Sequence, residues 1–275
     1  MKKLICTLLS LAMVLALAAC GSSGAANNAA DAAPAASAAN SAESDLAYIQ
    51  DKGTLVVGIT EFEPMDYQDA NGNWIGFDAD MAAAFAESLG VAVEFQIIDW
   101  DNKVFELDGK TIDCVWNGMT LTDEVKAAME CSNPYFNNAQ VVIVPADVAD
   151  QYQDVESVKA LNFAVESGSA GQAEVEALNA AYTEVADQAT ALLEVSSGNA
   201  EAAVIDFLMA KAMVGEGTSY AGLIDTVSLN SEEYGVGFRK GSDLAAALNQ
   251  FLADNADVVR ATAETYGIAD ALVEQ

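Results

Sequence analysis

From Thr54 onward the chain alternates short β-branched runs with alanine-rich segments of helical period, and it does so twice, with Pro145 between the two series. In the first series Thr54 to Thr60 (TLVVGIT), Val91 to Ile98, Ile112 to Trp116 and Ala139 to Val144 read as strands. Helices are expected after Asp78 through Leu89, closed by Gly90, over Asp101 to Leu107, and over TDEVKAAM. The second series opens with Asn162 to Glu166 as a strand and Ser167-Gly168-Ser169 as a tight turn. Helices then read over Ala170 to Ala181, Asp187 to Val195 and Asp206 to Val214, with Ala202 to Ile205 a strand. Val227 to Leu229 and Gly235 to Phe238 are late strands, and Ser242 to Ala253 and Val258 to Tyr266 are closing helices. Alternation of this kind builds parallel sheets covered by helices, and two series with a break between them predict a bilobed α/β protein.

In such folds ligands bind beyond the carboxyl ends of the strands, which directs attention to the turn after Trp116. Asn117, Gly118, Met119 and Thr120 follow the strand, and Thr122 is a candidate N-cap with Asp123 and Glu124 in the first helical turn. A small, glycine-containing turn feeding a helix leaves backbone N–H groups directed outward, an anchor suited to an anion such as a carboxylate.

The N-terminus speaks to compartment. Lys2 and Lys3 precede the uncharged apolar run Leu4 to Ala19, which is short for a membrane span and reads as a secretory signal peptide over residues 1–19. Its Leu-Ala-Ala-Cys ending resembles the bacterial lipobox, with Cys20 the lipidated first mature residue. Residues 20–43 are almost wholly Ala, Ser, Asn and Gly and read as a flexible tether. About 230 residues remain, enough for two lobes with real cores. A formal net charge of −31 argues against nucleic acid and against adsorption to anionic lipid. The chain has no histidine, so a His-based triad is excluded, and no metal or cofactor is expected. Cys114 and Cys131 remain after processing, with a disulfide and two free thiols both open.

Seven segments then occur in a familiar order: LVVGIT, NGNWIGFDADMAAAFAESLGV, KTIDCVWNGMTLT, CSNPY, VESGSA, AAVID and YGVGFRKG. Together they resemble bacterial solute-binding proteins of family 3, the extracellular receptors of ABC importers for polar amino acids and related solutes. The resemblance implies a type II periplasmic-binding-protein fold, two α/β lobes joined by two hinge segments and closing on a ligand. The first lobe would be residues 44–146 plus 234–275, the second residues 147–233. It further implies that Phe62 and Trp100 wall the ligand; Glu61, near the predicted mouth, is a further ligand-binding candidate. Asn117, Gly118, Met119 and Thr120 would hold an α-carboxylate, Gly168, Ser169 and Ala170 would form the opposing turn, and Asp206 would receive an α-ammonium. One departure matters: the family's carboxylate-clamping arginine is replaced here by Val125. Three readings stay open: backbone amides suffice, another cation substitutes, or the ligand lacks the carboxylate; Glu61, Glu63 and Glu166 tilt the mouth toward a cationic ligand.

Plainer roles compete for several residues. Helix capping accounts for Asp78 and competes for Asp206, solvent accounts for Asp80, and packing accounts for Trp74, Trp116, Met209 and Met213. Arg239 and Lys240 read as surface or lobe contacts. The function that follows is a monomeric, membrane-tethered receptor, exported to the cell surface or periplasm, that delivers a small polar solute, an amino acid by the resemblance, to ABC permease subunits. The alternatives are an exported dehydratase-like enzyme on the same fold and a sensory lipoprotein without a permease.

Overall fold

The computed structural model describes residues 44–273. The expected signal peptide, the lipidation site at Cys20 and the tether lie outside the described residues. Two five-stranded sheets carry the fold. The first runs Ala92–Ile97, Thr54–Ile59, Cys114–Val115, Gly237–Phe238, Glu130–Cys131; its first three strands are parallel and its last two are paired antiparallel. The second runs Ala181–Val185, Asn162–Glu166, Ala202–Asp206, Gln140–Pro145, Leu223–Ser228, again three parallel strands followed by two antiparallel pairings. Asn162–Glu166 and Ala202–Asp206 are buried along nearly their whole length, as central strands covered on both faces must be, which is why they read as unbroken apolar runs.

Between the sheets the chain crosses twice, through Phe136–Asn138 and Glu232–Tyr234, which pair with each other as a short antiparallel ribbon. Phe77, Tyr135 and Phe136 cluster beside it, with ring centroids of Phe77 and Phe136 4.7 Å apart. The strand Gln140–Pro145 therefore belongs to the second sheet, whereas the sequence reading puts it in the first lobe. Proline at its end marks the end of a strand, not the crossing; the crossing lies a few residues earlier, in a polar ribbon that carries no breaker signal.

Local differences have similar causes. The helix expected over Ala170 to Ala181 ends at Leu178, where Asn179 adopts a left-handed cap, and Ala181–Val185 is an edge strand whose exposed, mixed side chains give no alternation to read. A helix at Asp45–Lys52 was not expected. Its Asp45 pairs with Arg239, which is buried and not a surface residue: the guanidinium also reaches Asp113 and donates to the carbonyls of Leu107 and Ile112. Arg239 thus ties the closing segment to the first sheet. Cys114 and Cys131 are both free thiols.

Candidate functional site

The parallel strands of both sheets end at one cleft. Thr60 and Asn117 follow strands of the first sheet, while Glu166 and Asp206 end strands of the second. Between them lies a cavity of about 560 Å³. Ten of the eleven ligand-binding candidates border it: Phe62, Trp100, Asn117, Gly118, Met119, Thr120, Gly168, Ser169, Ala170 and Asp206. Glu61 does not, although its carboxyl is raised by burial and by Asp187 from the facing lobe. Thr120 and Asp206 share the cavity and are linked through the crossing ribbon. Thr120 Oγ1 donates to Glu232 (2.8 Å), and Asn138 and Gln140 each donate to both Glu232 and Asp206.

Asp206 is, with Glu166, one of two buried acids of the cavity. Its carboxylate accepts from Tyr234 OH at 2.7 Å, Gln140, Asn138 and Gln188, and its backbone N–H donates back to Gln188. It makes no side-chain cap to the helix that follows, so capping does not explain it. Burial, then the adjacent Glu232, push its carboxyl up to about 8. Glu166, 3 % exposed, has Oε1 without a partner. Burial, then Asp206 and Asp187, raise it to about 8. Burial thus favours the protonated form of both acids, and a positive charge beside them would favour the ionised form.

The turn after Trp116 is built from behind. Asp78 is not a helix cap: Gly76 holds that position, and the Asp78 carboxylate reaches Gly118 N–H at 2.6 Å and Tyr135 OH at 2.9 Å. Asn117 is likewise spent on Thr60 and on the buried Asp66. The expected carboxylate anchor thus has its Gly118 N–H, its Asn117 amide and its Thr120 hydroxyl committed to protein. Gly118 sits at φ +54° against Phe62, so a side chain here would displace that ring. Ser169 does cap its helix, accepting from Gln172 N–H at 3.1 Å, and Thr122 caps the helix Asp123–Ala128 in the same way, accepting from Val125 N–H.

Sequence reasoning missed Lys103 and Gln188. Lys103 Nζ lies 4.9 Å from the Trp100 ring centroid and donates to Trp100 O and, across the cleft, to Gly168 O. Burial lowers its ammonium, opposed by Glu166, Asp101 and Glu124. Its three-residue spacing from Trp100 on one helical turn was the available signal; Gln188, inside a helix after its Asp187 cap, offers none. Val125 borders the cavity where the resemblance leads one to expect arginine.

The sequence model of the bacterial extracellular solute-binding proteins, family 3, matches residues 55–262. The chain belongs to this family. Among relatives of this solute-binding protein, the arginine-binding extracellular protein ArtP of Bacillus subtilis (strain 168) is 26% identical over 94% of both chains. A crystal structure of a mutant ArgBP from T. maritima superposes with a TM-score of 0.75, at 30% identity, over 81% of this chain and 98% of that one. The ancestral amino acid-binding protein AncCDT-1, a precursor of cyclohexadienyl dehydratase, gives 0.74 at 30% identity, over 81% and 99%. The architecture is that of the type II periplasmic amino acid-binding proteins.

Proposed function

We propose that the protein is the lipid-tethered receptor of an ABC importer, anchored through Cys20 outside the cell membrane. It captures one small organic cation of amino-acid size and presents the closed complex to permease subunits. The observation that carries this reading is the cavity between the two sheets, where Phe62 and Trp100 supply flat apolar walls and the buried acids Glu166 and Asp206 face them from the second lobe. Aromatic faces and buried carboxylates together favour a cation, by quadrupole attraction and by charge-assisted hydrogen bonds. Closure follows because only the closed form lets both lobes touch the solute at once, so binding shifts the population toward it. In this scheme Gly168, Ser169 and Ala170 bound the solute from the second lobe and Met119 and Thr120 from the first.

The dehydratase-like alternative has weaker support, since relatives that span nearly the whole chain are binding proteins. The test is a thermal-shift screen of the purified protein against the common amino acids and small amines. A cationic solute should raise Tm by several degrees, because a ligand specific to the native state stabilises it by mass action. No shift with any basic compound would overturn the reading.

A further inference from the structure

The balance of charge and of free hydrogen-bonding groups around the cavity narrows the solute class further, on the footing of the solute-binding reading above. Six carboxylates border the cavity (Asp101, Asp123, Glu124, Glu166, Glu176 and Asp206) and one ammonium, Lys103. Two hydrogens of that ammonium go to the carbonyls of Trp100 and Gly168, and its charge is set against Glu166, Asp101 and Glu124. The side-chain amides of the cavity are committed as well: Asn117 to Thr60 and Asp66, Gln188 to Asp206, and Gln172 to Glu176, Tyr182 and Glu184. On the acceptor side Glu166 Oε1 is buried and unpartnered.

A carboxylate placed here has few groups to meet. The first N–H groups of the helix Ala170–Leu178 offer the equivalent of roughly half a positive charge, against six acidic side chains and a single ammonium in the lining. The negative groups also fall into two sets. Glu166 and Asp206 are buried, while Asp101, Asp123, Glu124 and Glu176 are exposed and form the rim of the cavity. Trp100 and Phe62, both buried, provide apolar surface along the same cavity.

We propose that the solute is a linear organic dication without a carboxylate, a diamine or an aminoalkyl guanidine, with one cationic end on Glu166 and Asp206 and the other among the rim carboxylates. Its methylene chain lies along the aromatic walls.

Matched pairs that differ only by the carboxylate test this: agmatine with arginine, putrescine with ornithine, and cadaverine with lysine, each titrated calorimetrically into the purified protein near neutral pH. The decarboxylated member of the best-binding pair should bind at least tenfold more tightly than its amino acid. An amino acid that binds equally or more tightly would overturn the inference and leave the solute-binding reading standing. Silence from all six compounds would overturn both. Val125→Arg supplies a second arm, since it adds a cation to the cavity wall at a position 8 % exposed. It should narrow or reverse the preference within the pair; an unchanged ratio in a folded variant would show that missing positive charge is not what excludes the carboxylate, and would overturn the argument.

Discussion

Glu166→Gln isolates the electrostatic state of the empty cleft. Glu166 ends the strand Asn162–Glu166 inside the cavity, and burial, then Asp206 and Asp187, move its carboxyl from 4.5 to about 8. A raised carboxyl means that the folded chain keeps a proton that the unfolded chain releases above about 4.5. Stability is then fully present below that value and is lost as pH climbs through about 8. Between about pH 5 and pH 9 the loss from this group comes to roughly 4 kcal/mol, at about 1.4 kcal/mol for each tenfold change in proton affinity. Glutamine has the shape of the neutral acid and does not titrate. The ligand-free variant should match the parent near pH 5 and exceed it by roughly 4 kcal/mol near pH 9, about 8 °C in Tm for a domain of this size. Thermal unfolding followed by circular dichroism across that range gives the comparison. Asp78, raised to about 7, titrates in both proteins and largely cancels in the difference. Parallel curves for parent and variant would refute the placement of Glu166 as a buried acid with a raised carboxyl.

Two further substitutions test the scaffold around the cavity. Asp78→Ala strands Gly118 N–H and Tyr135 OH without their acceptor and should cost roughly 2–4 kcal/mol in urea unfolding, whereas Asp78→Asn, which keeps an acceptor, should cost less than half as much; equal costs would mean that the charge and not the acceptor matters. Gly168→Ala puts a Cβ 2.8 Å from the Asp101 backbone across the cleft, at φ +71°. It should weaken solute binding at least tenfold, about 1.4 kcal/mol, and reduce the solute-induced compaction seen by small-angle scattering; full compaction in the variant would refute the closure contact.

The elements of the fold were legible where side chains report burial directly. Thr54–Ile59, Asn162–Glu166 and Ala202–Asp206 are buried parallel strands and read as continuous apolar runs, and the caps at Thr122 and Ser169 stand where a hydroxyl precedes a helix. What stayed hidden depends on contacts distant in sequence. Asp78 looks like a cap because it begins a helix, yet its partner Gly118 is forty residues away. The pairing of Phe136–Asn138 with Glu232–Tyr234 spans nearly a hundred residues, so no local pattern could locate it. The cavity lining was legible through the resemblance more than through chemistry: Phe62 is one aromatic among many until its neighbours are known.

Closure and charge are linked by the topology itself. The two sheets point the carboxyl ends of their parallel strands at each other, and each end carries acids: Asp101 and Glu124 from the first lobe, Glu166 and Asp206 from the second. Bringing the lobes together concentrates like charge in a space that excludes water, a cost that rises as the local dielectric falls. Protons on Glu166 and Asp206 meet part of that cost in the empty protein, and Lys103, bonded to Gly168 across the cleft, meets another part. A dication would replace the protons and supply the attraction that the closed form lacks. A solute acts on such an equilibrium only through its differential affinity for the two forms. Under the proposed reading, positive charge is the quantity the closed cleft selects, and a carboxylate on the solute subtracts from it. The matched pairs measure that subtraction directly.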